Sequence, residues 1–345
     1  MSREIEQIEI SKVISHQTEP RLTAPVVKGL YNLYLTSGCL NSLATLIGSM
    51  PTETREPLIH TLGSHVTKEK PMFVYAVNMA SGTDKSSSTL LAASIDMLWA
   101  LSLIVDDIED NDTVRSGQES AWTKFGKSEA LRTVQSGLVS IKMCLEDEFG
   151  DEGWRIMDSY ILKALEAVSQ HKHIDLEVQT SVLIQNYIDR NDFYCAAPVE
   201  IVQLRRPTIL AALEISALRK VTRAGQVLND LKDLYSQYAH IRPNFSDIRN
   251  RLVTIPLKMM YDNFSQNQRL EFLSLWKADH DDPKITDQIS ILVRDSQVKG
   301  VVLDEIRKMY IESLDEFSTV GLEHEFSQVI NEWVVYKLAQ CSSLA

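Results

Sequence analysis

The sequence predicts an all-α protein, on three observations. Helical periodicity recurs along the chain, no segment alternates apolar and polar residues between turn residues as a strand does, and glycine (13) and proline (10) are scarce for 345 residues. With few turn residues the helices must be long. Hydrophobic residues at 44% and charged residues at 24% match an ordinary globular protein able to bury a sizeable core, which excludes disordered and fibrous classes. No repeat, low-complexity tract or flexible linker interrupts the chain, so residues 1–345 are read as one domain. A net charge of −12 opposes binding nucleic acid or an anionic membrane through bulk charge. An anionic ligand would have to be held locally, by metal ions or a few placed cations.

Taken in chain order, the amino terminus MSREIEQIEISKV alternates charge instead of setting a basic stretch before an apolar one, so no signal peptide is expected. Cys39, Cys144, Cys195 and Cys341 show no CxxC spacing, and a reducing, cytoplasmic setting is the expectation. The apolar run Leu90 to Val105 is interrupted by Asp96; it is too short and too polar for a bilayer and reads as a buried core helix. Trp154, Met157, Ile161, Leu165 and Val168 recur at helical spacing and form one apolar face. Pro207 suits the first turn of a helix running to Tyr238, with Gly225 its weak point. Breaks are expected at Met50-Pro51, Gly82-Thr83, Gly150 to Gly153, the AHIRPNFSDIRN loop from Ala239, and Asp281 to Pro283.

Two polar groups stand out against these helices. In SLIVDDIEDNDTVRSG an apolar helix ends in Asp106, Asp107, Glu109, Asp110 and Asp112. Residues four apart share a helical face, so Asp106 and Asp110 project together, with Asp107 one step around. Such a group can share hard divalent cations that keep water or phosphate oxygens in their remaining positions. A solvated acidic helix end is the plainer alternative, but the position directly after a long apolar run is a poor place for solvated charge. The second group is AGQVLNDLKDLYSQ, where Asn229, Asp230 and Asp233 are spaced to share a face among Val227, Leu228, Leu231 and Leu234. Two such faces opposed across a bundle could hold metal ions, and the matching ligand is a multiply charged anion such as a diphosphate.

On these motifs the chain resembles the trans-prenyl diphosphate synthases and the related class I terpene synthases. The resemblance implies the all-α isoprenoid synthase bundle with a central active-site cavity, and it runs from about Lys68 to Pro256. The family's DDxxD followed by Arg-Arg-Gly matches Asp106, Asp107, Asp110, Arg115, Ser116 and Gly117, with the second arginine replaced by serine. Its GlnxxAspAspxxAsp matches Gln226, Asn229, Asp230 and Asp233, with the first aspartate replaced by asparagine, and RLVTIP ending at Pro256 looks like the segment that follows. The resemblance implies Mg²⁺, three ions with diphosphate bound, held by Asp106, Asp110, Asn229, Asp230 and Asp233. It also implies an allylic prenyl diphosphate substrate and a homodimer.

Departures from the family pattern fall on one substrate. The Lys-Arg-x-Arg-Pro stretch that binds isopentenyl diphosphate becomes Thr67-Lys68-Glu69-Lys70-Pro71, a histidine seven residues before the first motif becomes Trp99, and the second arginine becomes Ser116. Lys68 and Lys70 keep charge without the planar fork of arginine. The allylic-diphosphate groups are better kept: both metal motifs, Gln226, Arg115, and Arg190 where the family's Lys-Thr pair begins. Trp99 would present an aromatic face to a carbocation or simply pack in the core. A small Ser102, beside Leu101, would leave room for a C15 or C20 chain.

The favoured expectation is therefore a terpene synthase-like enzyme that ionises an allylic diphosphate and lets the cation cyclise or be captured. The alternative is a prenyltransferase, condensing with isopentenyl diphosphate or transferring to a non-diphosphate acceptor as in ComQ-type relatives; the third is a weakly active regulatory subunit. FGKS at Phe125 to Ser128 lacks the glycine and strand of a phosphate loop. His171, His173 and Asp175 read as surface polarity, and Arg205-Arg206 as a solvated helix start.

Overall fold

The structure, a computed structural model, describes residues 3–18, 24–64, 67–235, 246–278 and 282–344. Helices dominate as the composition requires, and the only sheet among the described residues is the hairpin Val114–Arg115 with Gln118–Glu119. Contacts divide the chain into two compact units. One takes Met1–Ser159, Phe193–Ile215 and Phe317–Trp333; the other takes Tyr160–Asp192, Ser216–Glu316 and Val334–Ala345. The chain passes from one to the other within helices.

The first unit is organised around the helix Lys85–Glu109, which packs against Glu69–Ala80 and Cys39–Gly48. Asp84 begins it, its side chain accepting from the Ser87 amide at 3.0 Å, so the helix runs well beyond the apolar stretch Leu90 to Val105. With that length it is the one helix among the described residues long and apolar enough to cross a membrane, a correction to the sequence reading; 78% of its apolar window is buried in the protein, as a core helix requires. Its face holds Leu91, Ala92, Ile95 and Leu98, all buried. Small residues let neighbours approach: a Cβ at Gly137 would stand 2.7 Å from Leu101 Cδ1. The expected breaks at Met50-Pro51 and Gly82-Thr83 fall between helices. Gly150 is a conformational break inside Lys127–His171, at φ 75° and ψ 177°, a region open essentially to glycine alone.

The helix Ala211–Tyr235 enters the second unit at Ser216, where Val221, Ala224, Val227, Leu228, Leu231 and Leu234 form its buried side. It starts four residues later than Pro207 suggested, because the Thr208 hydroxyl accepts from the Leu210 amide at 3.1 Å and holds that stretch as a turn. Gly225 does not weaken it; a Cβ there would meet the Tyr310 hydroxyl at 3.7 Å, so the glycine serves close packing. Residues 236–238 and most of the expected loop from Ala239 lie outside the described residues, as does Asp281. Pro283 opens a helix capped by Asp282, whose side chain accepts from the Lys284 amide at 2.9 Å. The apolar face expected from Trp154 to Val168 is rotated: Met157, Ala164 and Ala167 are buried, while Leu165 is 55% exposed. On that inner face the Asn186 side-chain amide donates to the Ala167 carbonyl at 2.7 Å.

Candidate active site

The first motif terminates the helix Lys85–Glu109. Asn111 adopts φ 55°, the left-handed conformation that ends a helix, and the Asp112 amide turns back to the Asp107 carbonyl at 2.9 Å. The carboxylates therefore gather at the negative end of the helix dipole, where like charges are least welcome and a cation is most stabilising. Ser116 (φ 52°) and Gly117 (φ 78°) then form a two-residue turn with both central residues left-handed, which pairs Val114 with Glu119 and Arg115 with Gln118. That hairpin brings Arg115 back over the helix end. Its Nε and Nη2 both lie 2.6 Å from Asp107 Oδ1. Asp107 is 2% exposed, and burial pushes its pKa up to about 6 against the pull of Arg115. Asp106 is half-buried and Asp110 exposed, so these two can meet a ligand from solvent.

The cations expected to hold a second diphosphate are placed differently. Lys68 is 0% exposed, and its Nζ lies 2.9 Å from Asp96 Oδ2, which also accepts from the Tyr34 hydroxyl at 2.8 Å. A buried pair of this kind is expensive to break, so a ligand would have to supplant Asp96. Asp96, read from sequence only as an interruption of an apolar run, is the residue that claims Lys68. The Lys70 ammonium sits 3.2 Å from the centroid of the Trp99 ring and 5.4 Å from that of Tyr194. Trp99 and Tyr194 meet edge to face at 5.7 Å. Ser102 donates to the Trp99 carbonyl at 2.8 Å.

The second motif lies in the other unit. Asp230 is 6% exposed: one oxygen accepts from the Tyr187 hydroxyl, the other from Gln226 Nε2 at 2.9 Å, and burial raises its pKa to about 6. Gln226, expected to touch diphosphate, thus gives its amide to Asp230. Asn229 is exposed, and Asp233 Oδ2 accepts from the Asp247 amide at 3.1 Å. The Arg190 guanidinium is held by His171, its Nη1 lying 3.1 Å from His171 Nδ1. Here the reading of His171 as surface polarity is overturned. The ring is 4% exposed, whereas His173 and Asp175 are exposed. Burial, then Arg190, lowers its pKa to about 4, so at neutral pH the Nε2 proton is given to the Val253 carbonyl at 2.8 Å and Nδ1 accepts. No local spacing links positions 171 and 190, and only the fold joins them. Arg205-Arg206 likewise follows the helix Ala197–Gln203 instead of starting one, with Arg205 Nη1 2.8 Å from Glu148.

An oxygen-only donor set at a helix end suits a hard divalent cation. Asp106 and Asp110 would hold Mg²⁺ in the first unit; in the second, Asn229 is exposed and Asp233 half-buried, and their side-chain oxygens would be the ligands offered. Among the described residues no three of His, Cys, Asp or Glu converge to cage an ion alone, so water or phosphate oxygens would complete the shell.

Compared with known proteins, residues 51–292 match a family model described as polyprenyl synthetase, over two thirds of the chain. A geranylgeranyl pyrophosphate synthase of Arabidopsis thaliana is 30% identical over 128 residues, 35% of this chain and 37% of that protein. A short chain isoprenyl diphosphate synthase of Methanothermobacter thermautotrophicus is 24% identical over 280 residues, 74% of this chain and 83% of that one. The chain spans under half the length of the first two curated relatives it matches, 37% and 44%. Among solved structures, a polyprenyl synthase from Caulobacter crescentus complexed with calcium and isoprenyl diphosphate superposes with TM-score 0.77 at 14% identity, covering 89% of this chain and 96% of that one. A geranylgeranyl pyrophosphate synthase gives 0.75 at 15% identity, covering 90% and 98%. At such identities the structures establish the shared fold.

Proposed function

The chain belongs to the polyprenyl synthetase family, and from that premise we propose that it is a Mg²⁺-dependent prenyltransferase acting on an allylic prenyl diphosphate of C15 or C20. The observation that carries this reading is the match over residues 51–292 together with Asp106 and Asp110 presented on one helix end. Bound Mg²⁺ supplies Lewis-acid withdrawal of charge from the leaving diphosphate. The chain's own part would be, in the first unit, to present the Asp106 and Asp110 carboxylates to the ion, and in the second to carry Asn229, Asp230 and Asp233 on one helix and offer the Arg190 guanidinium to negative charge on a leaving group. The allylic C–O bond breaks with both electrons leaving on diphosphate. The cation then takes an electron pair from the acceptor, and a proton is lost. Names of the relatives, synthases of prenyl diphosphates, favour isopentenyl diphosphate as that acceptor. A homodimer belongs to the same proposal, supported by the exposed apolar residues Leu131, Val139 and Met143 on one helix face.

A second reading is favoured by one specific observation: Lys68 is committed to Asp96 and Lys70 to Trp99. If isopentenyl diphosphate cannot dock, the cation is captured by its own double bonds or by another acceptor, the terpene synthase-like outcome. Product analysis with Mg²⁺ and geranyl, farnesyl or geranylgeranyl diphosphate, each with and without isopentenyl diphosphate, tests both. A longer prenyl diphosphate formed only with isopentenyl diphosphate supports the prenyltransferase. A hydrocarbon or alcohol from the allylic substrate alone supports the second reading, and no diphosphate release with any combination refutes both.

A further inference from the structure

We infer that His171 and Tyr187 are positioning residues that set the Arg190 guanidinium and the Asp230 carboxylate from one common anchor, the backbone of Val253 to Ile255. The inference rests on the proposed function, in which Arg190 faces the leaving diphosphate. His171 donates from Nε2 to the Val253 carbonyl at 2.8 Å, which turns Nδ1 to Arg190 Nη1 at 3.1 Å. Two residues further on, the Ile255 amide donates to the Tyr187 hydroxyl at 3.2 Å, and that hydroxyl donates onward to Asp230 Oδ2. The two rings also meet edge to face, with centroids 6.5 Å apart. One short segment therefore fixes two aromatic side chains, each passing its orientation to one charged group.

The arrangement is more specific than packing needs. A buried imidazole accepting from a guanidinium must be neutral, and only the Nε2–H tautomer serves, a choice that the Val253 carbonyl makes. A buried phenol that accepts a backbone N–H and gives its own proton to a carboxylate has its hydroxyl rotor fixed. Arg190 lies one turn beyond Asn186 on the helix Thr180–Cys195, the helix that also carries Tyr187. Loss of His171 would free the guanidinium to sweep its rotamers without moving that helix.

The test is a double-mutant cycle between positions 171 and 190, with farnesyl diphosphate turnover and calorimetric binding of inorganic pyrophosphate in Mg²⁺ as readouts. His171→Phe is expected to weaken pyrophosphate binding and lower kcat/KM by roughly tenfold to a hundredfold, the usual loss when an orienting partner is removed. His171→Gln, which keeps an amide acceptor, should recover much of it. In an Arg190→Gln background the same His171→Phe change should cost less than about twofold, because there is nothing left to orient. Tyr187→Phe, a loss of one hydroxyl, should lower kcat more than it alters pyrophosphate binding. Full-strength pyrophosphate binding and turnover in His171→Phe, or an undiminished loss in the Arg190→Gln background, would overturn the inference. If His171→Phe does not fold, the ¹⁵N shift of His171 Nδ1 decides the matter: it must move on Arg190→Gln, or the positioning contact is absent. Wild-type protein that releases no diphosphate would end the proposed function, while pyrophosphate binding and the imidazole shift still decide the positioning.

Discussion

Asp106 and Asp230 bring the same functional group into opposite surroundings, and replacing them separates turnover from stability. Asp106 is half-buried near the end of its helix, so its side chain is partly hydrated. Asp106→Ala is expected to lower turnover on the order of a hundredfold or more, as losing one electrostatic partner of the transition state does, and to leave the melting temperature unmoved. Asp230→Ala should lose turnover too, but it also strands the Tyr187 hydroxyl and the Gln226 amide inside the protein, costing roughly 1–3 kcal/mol of stability in a urea titration. Wild-type turnover in the Asp106→Ala, Asp230→Ala double variant would refute the carboxylate site altogether. His171 adds a pH signature. Its folded pKa of about 4 lies below the roughly 6.5 of a free imidazole, so between those values the unfolded chain holds a proton that the folded protein refuses. Acidification across that window lowers stability, by at most about 1.4 kcal/mol per pH unit. Asp107 and Asp230, raised to about 6, work in the opposite direction, since the folded protein binds their protons first. The comparison of wild type with His171→Gln cancels the carboxylates. Any stability advantage of the wild type at pH 8 should shrink as pH falls from about 6.5 to 4, and a parallel pair of curves would mean that the folded protein takes up the His171 proton as readily as the unfolded chain.

At the scale of elements, the hairpin Val114–Arg115 with Gln118–Glu119 is what brings Arg115 to Asp107. Gly117 sits at φ 78° with open space where a Cβ would stand, so only the backbone conformation restricts it. Gly117→Val should cost about 1–2 kcal/mol from the left-handed conformation and loosen Arg115, whereas Gly117→Asn should cost less; chemical denaturation of the two variants distinguishes strain from crowding. The sequence displayed this hairpin poorly, because two-residue strands leave no periodicity; it showed only a motif with one arginine missing. It displayed the long helices well, since Leu90 to Val105 and the stretch through Leu234 repeat at helical spacing. Local pattern did not show which oxygen or nitrogen meets which. Nothing near Asp96 announces Lys68, and nothing near His171 announces Arg190, because those pairings join segments far apart in the chain. Pattern also misplaced the inner face of Lys127–His171, where close approach favours Ala164 and Ala167 over the larger Leu165.

For the whole molecule, the question with a physical answer is whether two copies associate. Each chain carries −12 charges, so two copies repel unless an apolar surface outweighs the repulsion. The helix Lys127–His171 offers one in the first unit: Leu131, Val139 and Met143, spaced eight and four residues apart, are 40%, 56% and 58% exposed. Its other face is spoken for, with the Thr133 hydroxyl donating to the Thr54 carbonyl at 2.8 Å and Ser140 to the Leu46 carbonyl at 2.6 Å. Covering these residues in a second copy would remove apolar surface at roughly 25 cal/mol per Å². Sedimentation at micromolar concentration is expected to show a dimer that tightens as salt screens the net charge over about 8 Å at physiological ionic strength. Val139→Glu with Met143→Glu adds four carboxylates to a two-fold contact and should yield monomer with an unchanged helical spectrum. A wild-type monomer under those conditions, or a double variant that stays dimeric, would mean that this face is ordinary surface and that any self-association uses another.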